Sequence, residues 1–97
     1  MPRKLGGALE RVIAEEAPQT LLAEVQAAWP RACGPTIAAR AEPVSERNGT
    51  VTIGCESGTW AQELELMGDQ LRARIDEQIG ADRVLGLRFT ADLARHR

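Results

Sequence analysis

The sequence predicts a two-layer α+β domain, with helices packed across one face of a three-stranded sheet that contains a β-hairpin. Three observations predict it. Trp60, Leu64, Met67, Leu71, Ile75 and Ile79 recur at steps of three or four, which is the apolar stripe of an amphipathic helix. Asn48-Gly49 lies between two runs of strand character, and this pair favours a type I′ turn because both residues tolerate positive φ. In Val84-Leu-Gly-Leu-Arg-Phe89, Leu85, Leu87 and Phe89 alternate onto one face, with Gly86 and Arg88 on the other. A sheet with one apolar face requires a second layer to cover it.

Taken in order, Leu5, Leu9, Val12 and Ile13 have helical spacing, and Glu10, Arg11, Glu15 and Glu16 lie off that face. A first helix is expected from about Leu5 to Ala17, ended by Pro18 because the residue before a proline avoids the α region. Thr20 can cap a second helix whose apolar face is Leu21, Leu22, Val25, Ala28 and Trp29. Pro30 interrupts it, removing a hydrogen bond and crowding the preceding turn, so a kink is expected before Gly34. Pro35 opens a further short turn, Thr36 to Arg40.

The hairpin follows. With Asn48-Gly49 as the turn, Arg47 faces Thr50, Ser45 faces Thr52 and Val44 faces Ile53. Val51, Ile53 and Cys55 then point to a buried face, and Thr50, Thr52 and Gly54 to a polar one. The long helical segment comes next, its stripe widened by Ala61, Leu66 and Ala73. Thr59 with Gln62 has capping-box spacing, and Ser57 is a rival N-cap. Gly68 either weakens this helix or divides it, with Asp69 capping the second half, and Gly80 suits the C-terminal cap. Ala91 to Arg97 reads as a polar tail or a last helical turn. Residues 1–97 form a single domain, with 1–4 and 91–97 expected to be flexible ends.

Composition bounds the function. Aromatic residues are 3% of the chain, so the core is built from Leu, Ile, Val and Ala. A net charge of −2 argues against a dedicated phosphate binder, while leaving room for a local basic face. Cys33 and Cys55 form no C-x-x-C pair and His96 is the only histidine, so no metal or other cofactor is expected. The two thiols are expected to be reduced, buried and inert. No apolar run is long enough to span a bilayer and no signal-peptide core follows the basic start, which points to the cytoplasm.

Nothing in the chain assembles a nucleophile with a base. Gly54-Cys-Glu-Ser-Gly58 is better read as a strand end and a helix start than as a nucleophile loop. No phosphate-binding glycine loop is present, and no small-molecule substrate or catalytic residue is expected. Eleven of the twelve basic residues are arginine, a side chain suited to bidentate contacts with phosphate or carboxylate. Arg47 at the hairpin tip, with Arg83 and Arg88 around the third strand, is the candidate nucleic-acid patch. Trp29 and Trp60 are each either core or partner contact.

One succession of motifs is informative as a whole. Trp29-Pro-Arg-Ala-Cys-Gly34, Ile37-Ala38 and Pro43 precede the strand Thr50-Val-Thr-Ile. Ser57-Gly-Thr-Trp-Ala-Gln-Glu-Leu64, Leu71, Ile75 and Val84-Leu-Gly-Leu-Arg-Phe89 follow it. This order, from about Leu21 to Phe89, resembles the DciA-type family of bacterial proteins. The resemblance implies a domain similar to the K-homology (KH) type, and a role in replication through binding the DnaB-type helicase and helping to place it on DNA. It makes Trp29 and Trp60 the family-pattern aromatics and candidate partner contacts. It also allows weak binding of single-stranded DNA, although the chain lacks the Gly-x-x-Gly loop with which a KH domain clamps a nucleic-acid backbone. Ala39-Arg-Ala-Glu42 also departs from the family pattern before the proline. Three rival readings are a single-stranded nucleic-acid module acting without a helicase, a small enzyme, and a homodimer formed through an exposed edge strand.

Overall fold

The computed structural model describes residues 20–80 and 83–96. The helix expected over residues 5–17 and the flexible start lie outside the described residues. Within them the chain runs α1 (Leu21–Cys33), α2 (Pro35–Ala38), β1 (Ala41–Arg47), β2 (Thr50–Cys55), α3 (Gly58–Leu66), α4 (Gly68–Ile79), β3 (Gly86–Thr90) and a closing 3₁₀ turn, Leu93–His96. Four helices pack on a three-stranded mixed sheet of order β1-β2-β3, the two-layer KH-like arrangement that was expected.

α1 starts where its cap dictates. The Thr20 hydroxyl accepts the Ala23 N–H at 3.1 Å, and the helix ends at Gly34, which takes φ 90° and donates its N–H to the Pro30 carbonyl. Pro30 lies inside the helix, and Pro35 stands at the start of α2, where its missing N–H is not needed. The hairpin turn forms at Asn48 (φ 51°) and Gly49 (φ 89°), and the Glu46 carboxylate accepts the Gly49 N–H at 2.7 Å.

The register holds as expected for Arg47 with Thr50 and Ser45 with Thr52, and then shifts. Ile53 faces Pro43 rather than Val44, because a bulge between Pro43 and Ser45 leaves Val44 unpaired. Pro43 turns its backbone away from β2, its carbonyl accepting from the Gln26 amide of α1 at 3.1 Å, so its missing N–H costs the ladder nothing. The bulge also restores the alternation, so Ala41 and Pro43 are buried beside Cys55 and Ile53.

The long helical segment is divided. Met67 joins α3 to α4 with non-helical angles, and no side chain caps α4, so Asp69 sits in its first turn rather than at its cap. There its charge still complements the helix N-terminus. Ser57, not Thr59, caps α3, accepting the Trp60 N–H at 3.3 Å. Gly80 ends α4 in the left-handed conformation expected of it. Two residues expected to widen the stripe do not. Leu66 is 82% exposed and Ala73 is exposed, since each lies two positions from a core leucine, about 200° around the helix.

Because α3 and α4 carry the chain back along the sheet, β3 pairs parallel to β2, with Val51 beside Leu87 and Ile53 beside Phe89. The core lies between the layers: Val25, Trp29 and Ala32 of α1, Val51, Ile53 and Cys55 of β2, Leu64 of α3, Leu71 and Ile75 of α4, and Val84. The outer sheet face is covered at one end. Leu93 is buried, and its backbone lies where a Cβ on Gly54 would come within 3.3 Å. Hence Gly54, expected on a polar face, is buried.

Candidate functional site

The register separates the three candidate arginines. Arg47 pairs with Thr50, and Arg88 lies beside Thr52, which faces Ser45. Paired residues share a side of the sheet, so Arg47 and Arg88 stand on the outer face with Ser45, Thr50 and Thr52 between them. Strand spacing and rise put their Cα atoms about 12 Å apart. Both side chains are exposed. Arg83 is elsewhere: its guanidinium donates to the Glu24 carboxylate of α1 at 2.6 Å, in the helical layer. The structure therefore brings together two of the three arginines.

The tryptophans also part company. Trp29 is 2% exposed, and its indole N–H donates to the Ala41 carbonyl at 2.7 Å. It fastens α1 to the first residue of β1 and belongs to the core, not to a contact surface. The signal in the sequence was its place at the end of an apolar stripe. Trp60 is half-buried at the first turn of α3 and packs against the core from its edge.

A second surface was not foreseen. Leu66 and Leu85, 82% and 72% exposed, border a groove of about 550 Å³ between the α3–α4 joint and β3. Glu65, Gly68, Asp69, Gln70 and Arg72 line one wall, and Gly86, Leu87 and Phe89 the other. The joint comes close to the strand: a Cβ on Gly68 would meet the Phe89 ring at 3.7 Å.

Leu85 is exposed on a backbone held from both sides. Its N–H donates to the Gly49 carbonyl at 2.8 Å. The preceding Val84 donates to Asp76 and accepts from Arg72, each at 3.4 Å. Leu85 thus precedes the strand proper, and the alternation with Leu87 and Phe89 does not carry it into the core. The signal available in the sequence was the position of Leu66 two residues after Leu64, about 200° around the helix from it.

Cys33 and Cys55 are free and buried, and burial pushes both thiols up to about 11, with the Asp92 carboxylate adding to the effect at Cys55. A thiol held protonated is a poor nucleophile. Among the described residues no cluster of three or more His, Cys, Asp or Glu side chains is placed to hold a metal ion. Among them, too, no helix is long and apolar enough to cross a membrane.

With this geometry in hand, comparison with known proteins is decisive about kinship. The family model described as "Dna[CI] antecedent, DciA" matches residues 4–89. This chain belongs to the DciA family. Among its relatives, a UPF0232 protein of Rhodococcus jostii is 35% identical over 91 residues, covering 91% of this chain and 48% of that protein. A UPF0232 protein of Streptomyces avermitilis is 34% identical over 83 residues, covering 81% and 46%. One of Mycobacterium tuberculosis is 32% identical over 95 residues, covering 96% and 51%. The chain spans about half the length of these curated relatives.

Proposed function

We propose that this DciA-family domain acts by binding rather than by catalysis, engaging the replicative DnaB-type helicase and assisting its placement on DNA. Family membership over residues 4–89 is the observation that carries the reading. The surface agrees with it: two well-exposed leucines flank a groove, and both cysteine thiols are buried. Trp60, at the groove-bearing helix pair, is a candidate partner contact.

A weaker contact with single-stranded DNA is assigned to Arg47 and Arg88 on the open sheet face. Two arginines release few counterions, so the logarithm of such affinity should fall against the logarithm of salt with a slope of only about −1.4. Arg83, paired with Glu24, contributes less to it.

The experiment is a titration of this chain against the replicative helicase of its own source, with single-stranded DNA as a parallel ligand at low and high salt. Saturable helicase binding that survives high salt supports the reading. DNA binding alone, lost at high salt, would replace it with a nucleic-acid module. Binding to neither would leave the family relation as a statement about fold.

A further inference from the structure

We propose that the groove between the α3–α4 joint and β3 takes an extended protein segment, which adds to β3 as a fourth strand. The inference rests on the reading that the domain works by binding protein, and it names the site and the kind of segment. Among the described residues β3 is an edge of the sheet, so half of its backbone N–H and C=O groups face away from β2. Strand addition uses such an edge for affinity and alternate side-chain pockets for specificity. Here the pocket lies directly beside the edge, and Leu66 and Leu85 offer apolar contacts along it.

Charge selects the occupant. Glu65 and Asp69, both exposed, border the groove. Arg72, the one cation among the described residues that line it, is engaged with the Val84 carbonyl and with Asp76. The groove therefore repels phosphate, which disfavours a nucleic acid there. Arg88, central in β3, stands exposed on the opposite face of the sheet. A segment that fits has apolar side chains toward the groove, basic side chains flanking them near Glu65 and Asp69, and an acidic side chain on the alternate face beside Arg88. A second copy of the chain fits poorly. The antiparallel two-fold pairing that keeps all of Gly86–Thr90 is centred on Arg88 and sets that charge against itself.

The probe is a capped synthetic peptide, Lys-Thr-Val-Glu-Val-Thr-Lys, titrated into the isotope-labelled chain and followed by amide chemical shifts. The control is Glu-Thr-Val-Lys-Val-Thr-Glu, with the same pattern and reversed charge. Expected are saturable shifts at Gly86–Thr90 and Gly68–Asp69, with the control about tenfold weaker or more. Arg88→Glu should narrow or invert that preference. Leu66→Asp and Leu85→Asp should each weaken binding while leaving the far amides in place. Leu66 is the safer variant, because its side chain is the more exposed. Shifts confined to other surfaces, equal binding of the two peptides, or groove shifts produced by single-stranded DNA would overturn the proposal. So would β3 shifts that appear on concentrating the chain alone, since a second copy would then be the occupant. Helicase binding that is unchanged by Leu66→Asp and Leu85→Asp, with no peptide binding, defeats this proposal and leaves the helicase reading standing. Peptide binding without helicase binding does the reverse.

Discussion

Replacing Trp29 with phenylalanine isolates what fastens the helical layer to the sheet. The indole N–H gives the Ala41 carbonyl a 2.7 Å hydrogen bond in a site that is almost closed to solvent. Phenylalanine keeps most of the ring packing and removes the donor. A buried carbonyl left without its partner costs about 1–3 kcal/mol. The volume lost with the pyrrole ring adds about 1 kcal/mol, because surrounding side chains collapse only in part. Together the loss should be about 2–4 kcal/mol, a large share of the roughly 5–15 kcal/mol that holds a domain of this size. In a thermal melt this is a fall of about 10–20 °C. Urea unfolding followed by circular dichroism measures it, with the denaturant slope unchanged if only stability has moved. Trp60→Phe, half-buried at the edge of the core, should lose less. A Trp29→Phe loss below about 0.5 kcal/mol would refute the reasoning, since that is the range of surface substitutions.

Two further predictions concern ionisation and capping. Both thiols ionise near 9 when unfolded and near 11 when folded, so at alkaline pH the unfolded chain loses protons that the folded chain keeps. Their contribution to stability is full below pH 9 and declines as pH rises toward 11; urea midpoints across that window, with Cys55→Ala as comparison, should show the decline lessened in the variant. Ser57→Ala should cost about 1 kcal/mol through the lost cap on α3, whereas Thr59→Ala should stay within about 0.5 kcal/mol; parallel urea titrations distinguish the two caps.

Much of the fold was legible because local chemistry and tertiary packing agreed. Asn48-Gly49 needed positive φ at both positions and has it, which set the register at Arg47–Thr50 and Ser45–Thr52. Gly80 and Thr20 cap their helices for reasons visible in the residues themselves. The departures arise where two local signals compete. The Asn48-Gly49 turn sets one register, and the bulge between Pro43 and Ser45 leaves Val44 unpaired and shifts that register by one residue. Ser57 and Thr59 both suit a cap, and the choice depends on where β2 ends.

The candidate site was less legible. Arg47 and Arg88 meet on one face only through the pairing of three strands, and Arg83 is drawn away by Glu24, a residue 59 positions distant. Trp29 and Trp60 look alike as ends of apolar stripes, yet only Trp29 has a backbone carbonyl to receive its indole in the core. Leu66 and Leu85 read as core residues by composition and alternation. Leu66 is exposed because it lies about 200° around the helix from Leu64, and Leu85 because it precedes the start of β3.

The measurement that tests the central claim most directly is unwinding of a forked DNA by limiting replicative helicase from the same source, with and without this chain. The account predicts a faster initial rate that saturates as the chain is added and that Leu66→Asp diminishes. An unchanged rate under conditions where the chain binds the helicase would contradict it, leaving a partner that docks without assisting placement on DNA.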